Sequence, residues 1–327
     1  MPSAYRTGHF SFWHGAYNRT FVTPSLNGPL TQTPKKASVV PKTPFVLRLI
    51  RGGLRWLGKI APGLSSRLAY RLWFYPRRFD TPAREKRWLA DAEPVEVRHN
   101  EERLVGYQWG SGPVVLLVHG WDGRGSQMAA FAAPLAAAGY RSVAVDLPAH
   151  GQSTGRRTNM AEAADAINTI AEAVGPVEAV IGHSFGAGAL ARSMATGLKV
   201  NKAVLISSPA NLRWMADSFY SMLDLSPRIQ RGIEARINRD FGQSIWEEVS
   251  ADHNLQGSSI PGLIFHDQGD RDIPFSQAER IAEAWPAARL VPTDGLGHRR
   301  ILRNQEVINT CVEFIRTPPA RPAQSRT

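Results

Sequence analysis

From residue 114 onward the chain alternates short, continuous apolar runs with longer Ala-rich stretches, and few folds accept that alternation. The runs are Val114–Val118, Ser142–Leu147, Val177–Ile181, Ala203–Ile206 and Leu263–Phe265, with a last strand expected over Arg289–Val291. Each has strand length and is mostly apolar at successive positions, so both of its faces need cover. Helical patterns near 126–138, 160–174, 185–197, 276–285 and 304–316 supply that cover. Strands separated by helices in this way build a mostly parallel central sheet flanked by helices, an α/β domain. Ahead of it, Val95–Arg98 and Arg103–Trp109 flank Asn100-Glu101-Glu102, the pattern of a hairpin.

The stretch from Ile206 to Leu263 is too long for one crossover helix. It predicts a small helical cap over residues 210–258, inserted into a core spanning 94–209 and 259–317. Trp214, Met215, Phe219, Tyr220, Met222 and Trp246 lie in this insertion. They either line an apolar pocket or pack the insertion onto the body.

Charge divides the chain differently. Residues 1–90 hold 16 Lys and Arg against two acids, Asp80 and Glu85, a net of +14, whereas residues 91–327 carry a net of −3. The overall +11 therefore belongs to the N-terminal segment. A nucleic-acid enzyme more often carries its basic groove on the body, so no nucleic-acid partner is expected. Residues 1–44, rich in Ser, Thr, Pro, Gly and Asn and free of acids, read as a poorly ordered tail without the apolar stretch of a secretory signal. A flexible tail is also expected over 318–327.

Residues 45–90 read as a basic helical segment. Arg48, Arg51, Arg55 and Lys59 recur at helical spacing, and Val46, Leu47, Leu49, Ile50, Leu54, Trp56, Leu57 and Ile60 fill the remaining surface. Two readings stand side by side. Residues 45–60 can associate weakly with an anionic membrane surface, or their apolar face packs onto the body. Gly52, Gly53 and Gly58 weaken an independent helix and favour packing. No stretch is long and apolar enough to span a bilayer. The single cysteine, Cys311, allows no intrachain disulfide and suits a reducing, cytoplasmic compartment, peripheral to the membrane if residues 45–60 dock.

The run Val177–Ile181 leads directly into Gly182-His183-Ser184-Phe185-Gly186 and then into the helix-forming Ala187-Gly188-Ala189-Leu190-Ala191-Arg192. This is G-x-S-x-G at a strand-to-helix turn. Glycines two positions either side let strand and helix approach without a Cβ between them. The serine hydroxyl then stands at a helix N-terminus, where developing negative charge is favoured.

With these residues in view, the chain resembles the α/β-hydrolase family over roughly residues 95–316. Leu116-Leu117-Val118-His119-Gly120-Trp121 is similar to the family's His-Gly loop after the first buried strand. The resemblance implies an oxyanion hole made from the backbone N–H groups of Trp121 and Phe185, and His119 as a brace for its loop. Asp146-Leu147-Pro148-Ala149-His150-Gly151-Gln152-Ser153 resembles the family's D-x-x-G-x-G-x-S turn, departs from it at Pro148 and His150, and is assigned to structure.

The family order Ser…Asp…His places the acid after a later strand. Phe265-His266-Asp267-Gln268-Gly269-Asp270-Arg271-Asp272-Ile273-Pro274 offers three carboxylates. The family's spacing to the proline selects Asp270, with Asp272 and then Asp267 as alternatives. Asp272 also suits a helix-capping role. The base is expected at His298, within Gly295-Leu296-Gly297-His298 ahead of the closing helix. His183, His253 and His266 are assigned to packing or to the surface.

The resemblance implies a serine hydrolase of carboxylesterase or thioesterase type, acting on a small-molecule ester or thioester with catalytic Ser184, Asp270 and His298. It implies neither a metal nor an organic cofactor. Serine at position 184 argues against the branches that use an aspartate nucleophile. A carbon–carbon bond hydrolase, a perhydrolase and a non-catalytic binding protein on the same scaffold remain alternatives.

Overall fold

A computed structural model describes residues 45–318. The tails expected over 1–44 and 318–327 lie, apart from Pro318, outside the described residues.

Eight strands form one sheet: β1 (Glu93–His99), β2 (Glu102–Trp109), β3 (Val114–Val118), β4 (Arg141–Val145), β5 (Val177–His183), β6 (Lys202–Ile206), β7 (Gly262–Asp267) and β8 (Ala288–Thr293). Their order is β1-β2-β4-β3-β5-β6-β7-β8. The hairpin β1–β2 and the β2–β4 pair are antiparallel, and every later pairing is parallel. Asn100 takes a positive φ of 53° at the hairpin turn, a conformation its short polar side chain tolerates. β4 stops at Val145, earlier than the apolar run suggests, because Asp146 already belongs to the following turn.

β3, β6 and β7 are buried at every position, which is why Val114–Val118, Ala203–Ile206 and Leu263–Phe265 within them read as continuous apolar runs. Alternate side chains serve opposite faces. Leu116, Val118, Val180, Leu205 and Ile264 pack under α5 (Met160–Val174), α6 (Phe185–Ala195) and α11 (Ser276–Ala284). Val115, Leu117, Ile181, Val204, Ile206 and Phe265 pack under α13 (Gln305–Arg316), α4 (Ala132–Ala137) and the 3₁₀ turns at Gly125–Phe131. The helical pattern near 126–138 is thus a 3₁₀ segment followed by a short α-helix. Asn159, Asn211 and Asn304 begin their helices by accepting a backbone N–H into the side-chain oxygen.

One charge breaks the apolar pattern of β6. Lys202 is buried, and its ammonium donates to the carbonyls of Phe314, Ile315 and Thr317 at the end of α13. Those carbonyls lack helical partners and carry the negative end of the helix dipole.

Between β6 and β7 lie α7 (Leu212–Leu223), α8 (Pro227–Phe241), α9 (Ile245–Glu248) and α10 (Ala251–Asn254). The N-terminal segment forms α1 (Phe45–Ile60), α2 (Pro62–Trp73) and α3 (Ala83–Trp88). α1 and α2 lie against α7 and α8. A Cβ on Gly58 would meet Ile229 Cδ1 at 2.7 Å, and one on Gly232 would meet Ser66 Cβ at 2.8 Å. Tyr70 donates to Asp240 at 2.6 Å, and Trp73 packs edge-on against Phe219 with ring centroids 4.8 Å apart. Phe219 therefore packs insertion against N-terminal segment. No described helix is long and apolar enough to cross a membrane.

Candidate active site

β3 has β4 on one side and β5 on the other, so the connections leaving β3 and β5 run opposite ways. A crevice opens at the carboxyl ends of strands at such a reversal. Ser184 sits there, directly after β5 and directly before α6, at φ 54° and ψ −125°. A side chain at positive φ is strained, and the surrounding packing has to hold it. Two glycines make that packing close enough. A Cβ on Gly182 would lie 2.6 Å from Leu190 Cδ1 and 2.8 Å from the Ala187 backbone, and one on Gly186 would lie 2.2 Å from the His119 carbonyl oxygen. Any larger residue at either position would separate β5 from α6 or α6 from the loop after β3.

The His298 loop follows β8. His298 Nε2 accepts the Ser184 hydroxyl at 3.0 Å, while its Nδ1–H donates to Asp270 Oδ2 at 2.8 Å. The Asp270 side chain is fully buried, and its other oxygen accepts the N–H groups of Asp272 at 2.9 Å and Ile273 at 3.0 Å. Burial alone would raise this carboxyl. Hydrogen bonds from His298, Ile273 and Asp272, with the attraction of His298, outweigh burial and hold it below the usual carboxylate range. It faces the imidazole as an anion.

The other two carboxylates are placed elsewhere. Asp267 accepts the Thr293 hydroxyl at 2.9 Å, the Leu296 N–H at 2.8 Å and the Gly269 N–H at 3.1 Å. It ties β7 to the loop that carries His298. Asp272 is exposed at the surface.

The loop after β3 lies against Ser184: a Cβ on Gly120 would be 2.9 Å from Ser184 Cβ. Trp121 follows, its ring edge-on to Phe185 at 5.0 Å and to His150 at 5.4 Å. The backbone N–H of Phe185 opens α6, where helical N–H groups lack internal partners. His119 braces this loop, with Nδ1–H donating to the Gly120 carbonyl at 2.8 Å and Nε2 accepting the Leu147 N–H at 2.9 Å. Burial pushes His119 down to about 4, so it stays neutral and keeps both roles. Asp146 accepts Gly125 N–H at 2.6 Å and Gln152 N–H at 2.7 Å, which closes its own turn.

Three supports escape sequence reasoning. His183 donates from Nε2 to the His298 carbonyl at 2.8 Å, so it holds the backbone of the residue whose side chain meets Ser184. Burial and the neighbouring His298 push it down to about 3. His266 donates to the Ile273 carbonyl at 2.8 Å and stiffens the turn that presents Asp270. The third support comes from the N-terminal segment. Arg77 grips Asp122, next to Trp121, through its backbone N–H at 2.7 Å and its guanidinium at 2.9 and 2.7 Å. Arg78 donates to the carbonyls of Ala149, Gly151, Ser153 and Gly155. In sequence, both arginines are two charges among 16; their partners are 45 to 77 residues away.

The model of a family described as the alpha/beta hydrolase family matches residues 115–310, from β3 through the His298 loop into α13. The chain belongs to the alpha/beta hydrolase family. Within it, the chain is similar to a non-heme haloperoxidase from Rhodococcus erythropolis, at 27% identity over 62% of this chain and 91% of that protein. An esterase from Pyrococcus furiosus superposes with a TM-score of 0.57 at 19% identity, covering 74% of this hydrolase and 97% of the esterase. A membrane phospholipase A superposes at 0.53 and 20% identity, covering 83% of this chain and 95% of that one. At these identities the two structures share the fold with it.

Proposed function

We propose that this hydrolase cleaves an ester or thioester of a small molecule through an acyl-enzyme on Ser184. The observation that carries the reading is the unbroken hydrogen-bond chain from Ser184 through His298 to Asp270, assembled from the loops after β5, β8 and β7.

The steps follow from that chain. The Ser184 oxygen attacks the substrate carbonyl carbon, and His298 Nε2 takes the hydroxyl proton. Asp270 stabilises the imidazolium and keeps Nδ1 protonated, so Nε2 is the free acceptor. Charge on the carbonyl oxygen is met by the N–H groups of Trp121 and Phe185; losing one such donor typically costs about 10²–10³ in rate. Collapse expels the alcohol or thiol, which leaves with the proton from His298. A water molecule then attacks the acyl carbon, gives its proton to His298, and the acid departs as the Ser184 hydroxyl is restored. His119, His183, His266 and Arg77 act on this site as positioning residues. No metal or organic cofactor enters these steps.

The test is labelling by a fluorophosphonate together with hydrolysis of p-nitrophenyl esters and coenzyme A thioesters across acyl lengths. Ser184→Ala should lose the label and cut kcat by roughly 10⁴–10⁶, with an unchanged circular dichroism spectrum. Turnover that survives Ser184→Ala would end the proposal. A wild type that neither labels nor turns over would favour a binding protein on this scaffold.

The likeness to a haloperoxidase favours one second reading, in which hydrogen peroxide replaces water as acceptor and the product is a peracid. Peracid yield from the acyl-enzyme in peroxide, measured against the free acid, separates the two.

A further inference from the structure

The large apolar side chains left in solvent are concentrated in one region. Ten of the twelve exposed ones among the described residues fall between Phe45 and Phe79. The other two, Met222 and Phe241, lie on α7 and α8, against which α1 and α2 pack. Arg51 donates to the Met222 carbonyl, and Phe74 packs against Phe241 with ring centroids 5.8 Å apart. Exposed apolar residues are ordinary when scattered, but such a cluster marks an interaction surface.

The cluster has a direction. The inner side of α1 carries the buried Leu54 and the close contact of Gly58 with Ile229, while α2 turns Ser65, Ser66 and Ala69 inward. Because these sides face α7 and α8, the larger residues of both helices are turned away from them. On α1 these are Phe45, Leu49, Trp56 and Ile60, each more than half exposed. On α2 they are Leu64, Leu68 and Leu72, four residues apart and so on one stripe. Arg48, Lys59, Arg67 and Arg71 are exposed beside these stripes and form no ion pair among the described residues.

We propose that α1 and α2 form a docking face for an anionic lipid bilayer, lying flat with the apolar stripes in the interface and the four basic side chains among the headgroups. Charge decides the occupant. Residues 1–44 carry five basic residues and no acid, so they offer no charge complementary to a basic face. A second copy of this chain would bring a face of the same sign against it, since residues 1–90 carry +14. A bilayer with anionic headgroups offers negative charge and hydrocarbon at adjacent depths, which matches basic residues beside exposed Leu, Ile, Phe and Trp. The inference does not depend on the reaction at Ser184.

Co-sedimentation of the full chain tests it, with vesicles of phosphatidylcholine alone and of phosphatidylcholine with phosphatidylserine. The wild type should pellet with the anionic vesicles, stay in solution with the neutral ones, and be released by salt. Two variants alter only exposed side chains. Replacing Arg48, Lys59, Arg67 and Arg71 together by Gln should lower partitioning about fivefold per charge, a hundredfold or more in all. Trp56→Ser with Leu68→Ser should lower it at least about tenfold. Circular dichroism confirms that both variants fold. Equal or absent binding to the two vesicle types would overturn the proposal. Anionic binding that both variants retain would assign it to residues 1–44 and overturn it as well. A dimer seen by light scattering that Trp56→Ser with Leu68→Ser dissociates would give the face to a second copy instead.

Discussion

Glycines at the strand–helix junctions of the body and glycines on the outer side of the N-terminal helices have opposite surroundings. In the body, Gly182, Gly186 and Gly262 each hold a place where a Cβ would come within 3 Å of a neighbour. On α1 and α2, Gly52, Gly53 and Gly63 have nothing within 4 Å of such an atom. The body achieves its fold by close backbone approach, and its loops inherit that rigidity, down to a strained Ser184. The N-terminal helices pack on one side only and leave the other to solvent. A glycine that is indispensable in one region is an entropic cost in the other. The lesson is that residue type says little until the neighbours are known.

The sharpest way to break this contrast is at the carboxylates of the body. Asp270→Asn should cost about 10⁴ in kcat/KM for an ester, because the amide no longer fixes the His298 tautomer. Asp272→Asn, at an exposed side chain, should change it by less than about twofold. If Asp272→Asn proved the damaging one, the His298–Asp270 contact would be structural only.

Acid should separate the regions too. Residues 45–90 contain no histidine, whereas the body buries His119, His150 and His183, held neutral by burial at about 4, 3 and 3. In the unfolded chain each titrates near 6.5. Folded values below unfolded ones mean that the stability is fully present above about 6.5 and is lost as pH falls through that value towards about 3. The three together give a slope of at most about 4 kcal/mol per pH unit. Asp146, Glu102 and Glu162, whose carboxyls burial raises, offset part of it at the acid end. Denaturant midpoints at pH 7 and pH 5 read the difference, and equal midpoints would show that these histidines are solvated.

Glycine substitution tests the contrast directly. Gly186→Ala drives a Cβ to 2.2 Å from a backbone carbonyl and should destabilise by about 3 kcal/mol or more, measured by urea unfolding. Gly53→Ala, in an exposed helical position with open space around it, should stabilise by about 0.5–1 kcal/mol and raise Tm by roughly 2 °C. A loss of stability at Gly53→Ala would mean that the outer side of α1 is already packed.

The order of strands and helices was legible because both-face burial of β3, β6 and β7 imposes apolar residues at successive positions over most of each strand, which no amphipathic helix shows. G-x-S-x-G was legible for a similar reason: the close approach at Gly182 and Gly186 is demanded within five consecutive residues. His298 stands in a glycine-flanked loop after the last strand, which is where the resemblance to the family placed the base. Local pattern determined these features because the constraint and the residue that satisfies it are neighbours in the chain.

Other features were decided only when distant segments met. Asp267, Asp270 and Asp272 are interchangeable as letters, and their difference lies in which one is buried against His298 and which one anchors Thr293 and Leu296. His183 looks like any loop histidine until the His298 carbonyl, 115 residues away, arrives above it. α1 offers apolar residues around most of its circumference, and its sequence alone does not choose a face. Packing chose, because the side bearing Gly58, where a Cβ would meet Ile229 Cδ1 at 2.7 Å, is the side turned to α8, and that choice left Trp56 and Ile60 outside.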